Sequence, residues 1–214
     1  MKPTPQDIVI QTTLDLIRDR FAKMPATIEN VRAAIVAVEY ALIGVAEIGK
    51  SNCGYWVDIF QKSIGMHGAP WCLAMQQYVF KYVASFWLFP DLLPFDTAST
   101  QALWRWADQQ DLTVSTFDAL YSCDLVIWRD GSRDLGHVGC AVTDPNYAER
   151  NTITLIEGNT STADWRDGGH VAEKVYTEGE LNMGISRPDK RWCRGAIRFD
   201  KLYDMALHGA TPTA

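Results

Sequence analysis

The chain has 214 residues, 47% of them hydrophobic and 21% charged, which suits one domain of moderate size with a substantial core. A net charge of −6 without any dense Lys/Arg block argues against nucleic acid as the main partner and against a cationic wall-adsorbing module. The five cysteines, Cys53, Cys72, Cys123, Cys140 and Cys193, are odd in number, widely spaced and free of any C-x-x-C pair, so they read as reduced thiols.

The first residues lack a charged segment followed by an apolar one, and no secretory signal is expected there. Residues 6–24 space Ile8, Leu14, Ile17 and Phe21 as an amphipathic helix that Pro25 ends, and residues 1–30 read as a helical arm packed on the domain or on a partner. Thr27 to Asn30 offers caps for a second helix carrying Val31 to Val45, and a turn over 49–54 precedes a short helix at 55–64. The apolar stretches 33–48 and 73–89 carry Glu39, Glu47 and Lys81, so no membrane insertion is expected.

Gly68 and Pro70 then punctuate a loop, after which neither residue type recurs until Pro90. Leu73, Ala74, Met75, Val79, Phe80, Val83 and Phe86 surround this segment with apolar side chains, the pattern of a helix buried in the middle of a domain. Cys72 falls in its first turn, where unpaired N–H groups and the positive end of the helix dipole favour a thiolate. A cysteine in an apolar helix also reads as inert core, so a catalytic role needs a base elsewhere. Residues 98–110 form another short helix. Beyond residue 120 the texture becomes strand-like, at 125–128, 137–142, 152–156, 169–172 and 196–199. Helices first and strands after predict an α+β fold with helices on one side of an antiparallel sheet of about five to six strands. The domain is drawn at 31–207, with a disordered tail over 208–214.

Of the four histidines, His208 lies at the chain end, while His67 and His170 sit in glycine-rich turns and are expected to line a cleft. His137 opens a strand, and a strand fixes an imidazole as a catalytic base requires. The following strand ends in Glu157-Gly158-Asn159, and antiparallel pairing brings that end beside His137, so that Glu157 or Asn159 holds the second ring nitrogen. Taken alone, the same residues also make an ordinary Gly/Asn turn. No cofactor and no metal are predicted: His137 and Cys140 point to opposite faces of a strand, and no close-spaced ligand pair completes a zinc set.

The order of Gly68-Ala69-Pro70-Trp71-Cys72, Cys123-Asp124-Leu125-Val126, Gly136-His137-Val138-Gly139 and Ile156-Glu157-Gly158-Asn159-Thr160 resembles the CHAP domains (cysteine, histidine-dependent amidohydrolases/peptidases) of phage and bacterial cell-wall hydrolases. Arg194 to Arg198 is similar to the closing strand, and Glu47-Ile48-Gly49 with Asn52-Cys53-Gly54 to the E-x-x-G…N-x-G stretch of phage members. The resemblance covers roughly residues 35–200 and departs from the pattern at Cys123, where the family often has glycine. It implies a papain-like fold, Cys72 as nucleophile, His137 as base, Glu157 as its orienter and Asn159 assisting. It also implies peptidoglycan as substrate, with Trp71, Trp128, His67 and His170 on the substrate side. A phage or prophage endolysin is expected to stay in the host cytoplasm until it is released to the wall, or to be carried in a virion, here as a monomer. The rival readings are an amidase acting on a small soluble amide and a non-enzymatic tail or assembly module.

Overall fold

The computed structural model describes residues 2–49, 51–93, 96–145, 151–160 and 168–208; the tail expected beyond His208 lies outside them. Among these residues the chain forms seven α-helices, one short 3-10 helix and six strands in an α+β arrangement. The helical part runs α1 (Pro5–Phe21), α2 (Ile28–Ala41), α3 (Tyr55–Lys62), α4 (Cys72–Ala84) and α5 (Thr100–Gln109). Strands follow as β1 (Thr113–Val114), β2 (Leu125–Asp130), β3 (Gly136–Ala141), β4 (Thr152–Thr160), β5 (His170–Thr177) and β6 (Arg191–Ile197). The 3-10 turn Phe117–Ala119 precedes β2, α6 (Glu178–Leu181) follows β5, and α7 (Phe199–His208) closes the fold. The six strands make one antiparallel sheet in the order β1-β6-β2-β3-β4-β5.

Both faces of the sheet are covered, which explains why its inner strands read as nearly continuous apolar runs. Leu125, Ile127, Val138, Cys140, Ile156 and Ile197 join the helical core, while the alternate residues Val126, Trp128, Ala141, Ile153 and Leu155 pack with Phe117 and Leu181 in a smaller cluster. The helix α4 lies in the larger core with Leu73, Met75, Val79, Phe80 and Val83 all buried, so the position of its first residue is fixed by its whole length. Each such side chain contributes roughly 1.5–3 kcal/mol of burial.

Three expectations are corrected here. The division at residues 30 and 31 falls inside α2, whereas α1 does pack on the domain, one of its two expected placements: Ile10, Leu14 and Phe21 are buried in the main core, and the Tyr82 hydroxyl donates to the Leu14 carbonyl at 3.1 Å. The central helix stops at Ala84 rather than running on to residue 89, and Leu88 takes a left-handed backbone with φ +57°. The last strand ends at Ile197, because the buried Asp124 carboxylate accepts the Phe199 N–H at 2.8 Å and starts α7 there instead. No helix among the described residues is long and apolar enough to cross a membrane.

Candidate active site

Cys72 is the first residue of α4 and is 5% exposed. The first turns of α1, α2 and α5 are capped by the hydroxyls of Thr4, Thr27 and Ser99, whereas α4 has neither a capping side chain nor an acidic residue. Its N–H groups and positive dipole end therefore remain available to an anion at Cys72. Burial, the largest influence, pushes the thiol up, but the His137 hydrogen bond and charge, the Leu73 amide and Arg191 together bring it below its ordinary value.

His137 stands on β3, 6% exposed, with Nε2 2.9 Å from Glu157 Oε2. Burial pulls the imidazole down, yet the Glu157 charge and the Cys72 contact leave it raised overall, against the opposing charge of Arg191. A thiol lowered by the neighbouring imidazole and an imidazole raised by the Glu157 charge favour the thiolate–imidazolium state.

Glu157 is fully buried and receives four donors. His137 Nε2 and Thr160 Oγ1 reach Oε2 at 2.9 and 3.0 Å, Lys174 Nζ stands 3.2 Å from the same oxygen, and the Tyr176 hydroxyl donates to Oε1 at 2.6 Å. Burial raises this carboxyl, but the His137 charge and hydrogen bond, Lys174 and Tyr176 outweigh it and hold the group far below the usual carboxylate range. The same carboxylate, after burial, pushes the Tyr176 hydroxyl well up, so tyrosine stays a donor.

Glycines make this meeting possible. The β3–β4 ladder pairs Cys140 with Ile156, and one step further along the register Gly139 faces Glu157. A Cβ on Gly139 would stand 2.9 Å from Glu157 Cγ, so its absence lets the carboxylate lean diagonally towards His137. A Cβ on Gly158 would come within 2.6 Å of Met75 Sδ and 2.9 Å of the Trp71 ring, so this glycine lets β4 touch the start of α4. Asn159 follows with φ +53° at a bulge in β4, a conformation asparagine tolerates, and the bulge returns the Thr160 hydroxyl to Glu157.

The other predicted residues divide. Trp128 pairs with His137 across β2 and β3, its ring 5.8 Å from the imidazole, and walls an open cleft. Trp71 is 0% exposed, packs on Phe60 and Gly158, and donates its indole N–H to Glu47 at 2.8 Å; it supports the cysteine and is closed to a substrate. Among the described residues no hydrogen bond joins Asn159 to His137, so its place in the bulge is the role the geometry gives it. His67 is exposed on the loop before α4, and His170 opens β5 opposite Thr160; no hydrogen bond ties either to Cys72, His137 or Glu157.

Sequence reasoning missed Thr160, Lys174, Tyr176 and Arg191, and also Gln61. The buried Gln61 amide donates to the carbonyls of Asn52 and Ala69 at 3.0 and 2.8 Å and accepts the Gly68 N–H at 2.5 Å, binding together the loop that presents Cys72. Residues 55–64 also carry the polar side chains Asp58, Lys62 and Ser63, so nothing in the sequence singled out Gln61. Glu47, whose amide donates to Gly169 at 2.6 Å, and Gly54, which packs against Ala46, hold the other side of this loop. No cluster of three or more His, Cys, Asp or Glu side chains among the described residues could hold a metal ion.

Chemically, the arrangement supplies a thiolate, a proton carried on an adjacent imidazolium, a carboxylate that fixes that imidazolium, and uncapped N–H groups for a developing oxyanion. Comparison with protein-family models, with curated proteins and with solved structures finds no match to this chain.

Proposed function

We propose that the chain is a cysteine-dependent hydrolase of the CHAP type, papain-like in its arrangement, that cleaves an amide bond of peptidoglycan. The observation that carries the reading is the placement of Cys72, its thiol lowered by His137, at the uncapped start of α4, together with the hydrogen bond that holds His137 to the buried Glu157. The choice of peptidoglycan rests on the order of the four sequence motifs and on the endolysin-like resemblance they carry.

In this mechanism the Cys72 thiolate attacks the amide carbonyl carbon, and the oxygen takes the negative charge beside the first N–H groups of α4. His137 gives its proton to the leaving nitrogen as the C–N bond breaks, and a thioester remains on Cys72. The now neutral imidazole takes a proton from water, whose oxygen attacks the thioester. Cys72 leaves as thiolate beside the re-formed imidazolium, and a carboxylic acid departs. Glu157 stays ionised throughout and keeps the ring in one orientation.

Digestion of purified Gram-negative sacculi by the wild type and by Cys72→Ser, with mass analysis of the soluble products, tests the proposal. Stem peptides freed from intact sugar strands identify an amidase, and fragments split within the peptide identify an endopeptidase. Equal release by the two proteins overturns the reading.

A further inference from the structure

Beside the Cys72–His137–Glu157 cluster lies an open cleft of about 260 Å³, lined by Trp128, Tyr176, Arg187, Arg191 and Trp192 together with α6. Two of its walls belong to the cluster's own surroundings, since Trp128 packs on the His137 ring and Tyr176 donates to Glu157. The Arg191 guanidinium lies over the Trp128 ring at 5.0 Å, which holds its planar fork in one orientation. Its charge is felt at both Cys72 and His137, so the reacting atoms and the cleft share one electrostatic field.

In a chain of net charge −6, the lining of this cleft carries two arginines and one acid, and the charge of Arg191 also faces the neighbouring Glu157 carboxylate. That acid, Glu180, is committed to the capping box of α6, where it accepts the Thr177 N–H at 2.8 Å and hydroxyl at 2.9 Å. A second hollow shares Gly179 and Asn182 with the first and is lined by Asp118 and Glu178, which repel an anion there and direct it to the arginine end.

We propose that this cleft is a subsite for a carboxylate of the substrate, held by Arg191 and Arg187 next to the scissile amide. Guanidinium groups recognise carboxylates through paired hydrogen bonds that a carboxamide cannot reproduce. The substrate class follows as an acidic peptide, a refinement that rests on the hydrolase reading for its chemistry and on the cleft alone for its charge preference.

Binding is measured apart from turnover. Full-length Cys72→Ala protein is titrated by calorimetry with a soluble wall stem peptide bearing free carboxylates and with the same peptide amidated. The acidic peptide is expected to bind at least about tenfold more tightly, the scale of a hydrogen bond to a charged group. Arg191→Gln in the same background removes that preference, and so does Arg187→Gln, whose half-exposed position makes it the safer variant for folding. Equal affinity for the two peptides, or a preference that survives both substitutions, overturns the subsite. Hydrolysis is then read with Cys72 present. A binding preference with no cleavage of either peptide supports the subsite and sinks the hydrolase reading; cleavage of both peptides at equal efficiency overturns the subsite alone.

Discussion

Replacing Glu157 by glutamine keeps the side chain's size and removes its charge. In the wild type the carboxylate faces four donors and holds the His137 imidazolium at 2.9 Å. A hydrogen bond to a charged group contributes about 1.5–3 kcal/mol. At 1.36 kcal/mol per pKa unit this is a shift of about one to two units in the imidazolium–thiolate pair. Glutamine also brings an N–H₂ group to partners that all donate to the carboxylate in the wild type, which adds to the loss unless the hydroxyls of Thr160 and Tyr176 turn to accept. The expected outcome is that the midpoint for alkylation of Cys72 by iodoacetamide moves up by about one to two units, towards the ordinary thiol value near 8.5. Alkylation at acidic to neutral pH slows by about 10–100-fold. Peptide mapping separates Cys72 from the half-buried Cys53. A folded Glu157→Gln protein whose Cys72 midpoint is unchanged would refute the reasoning. The same pair shapes stability. The raised His137 contributes stability below about 6.5 that is lost as pH rises through its folded value, and the depressed Glu157 contributes stability above about 4.5 that is lost on acidification. The wild-type contribution of the pair is therefore greatest between about pH 4.5 and 6.5, and the glutamine variant flattens both limbs.

Gly158→Ala places a methyl group against Met75 and Trp71; thermal unfolding should show a loss of about 1–3 kcal/mol, with slower Cys72 alkylation as the start of α4 is displaced. Gln61→Ala leaves two carbonyls and one amide of the Cys72 loop without their partner and should cost about 1–3 kcal/mol; unchanged stability and unchanged alkylation would remove Gln61 from the account. Glu39 is fully buried, and burial with the neighbouring Cys123 raises its carboxyl well above the ordinary value, so its stabilisation is present below about 4.5 and lost as pH rises through the folded value. Glu39→Gln should therefore raise the melting temperature at alkaline pH by about 3 °C and leave it little changed in acid.

The first five helices and the α+β order were legible because each depends on local pattern, and the meeting of His137 with Glu157 because antiparallel return follows from the strand order. An unbroken apolar run fixes α4, and antiparallel return brings the end of β4 to the start of β3. Residues whose partners arise from sheet register were not legible. Lys174 and Tyr176 reach Glu157 because β5 pairs with β4 in one particular register, and Thr160 reaches it because of a bulge. Trp71 shows the converse error, since a tryptophan beside a nucleophile reads equally well as a ligand platform or as a buried wedge, and only the approach of Gly158 decides. Cys123 was noted as a departure from glycine, and its φ of +72° shows why glycine suits that position; the cysteine keeps the turn through its N–H bond to Ala141 at 2.7 Å. The helix α7 was missed because its start is specified by Asp124, far away in sequence.

Acid quenching of the wild-type protein during turnover of soluble peptidoglycan fragments, followed by mass mapping, tests the central claim most directly. The account predicts an acyl adduct on the Cys72 peptide that hydroxylamine removes and that Cys72→Ser does not form as a thioester. Turnover that proceeds with no adduct at Cys72, or with one at another residue, would contradict it.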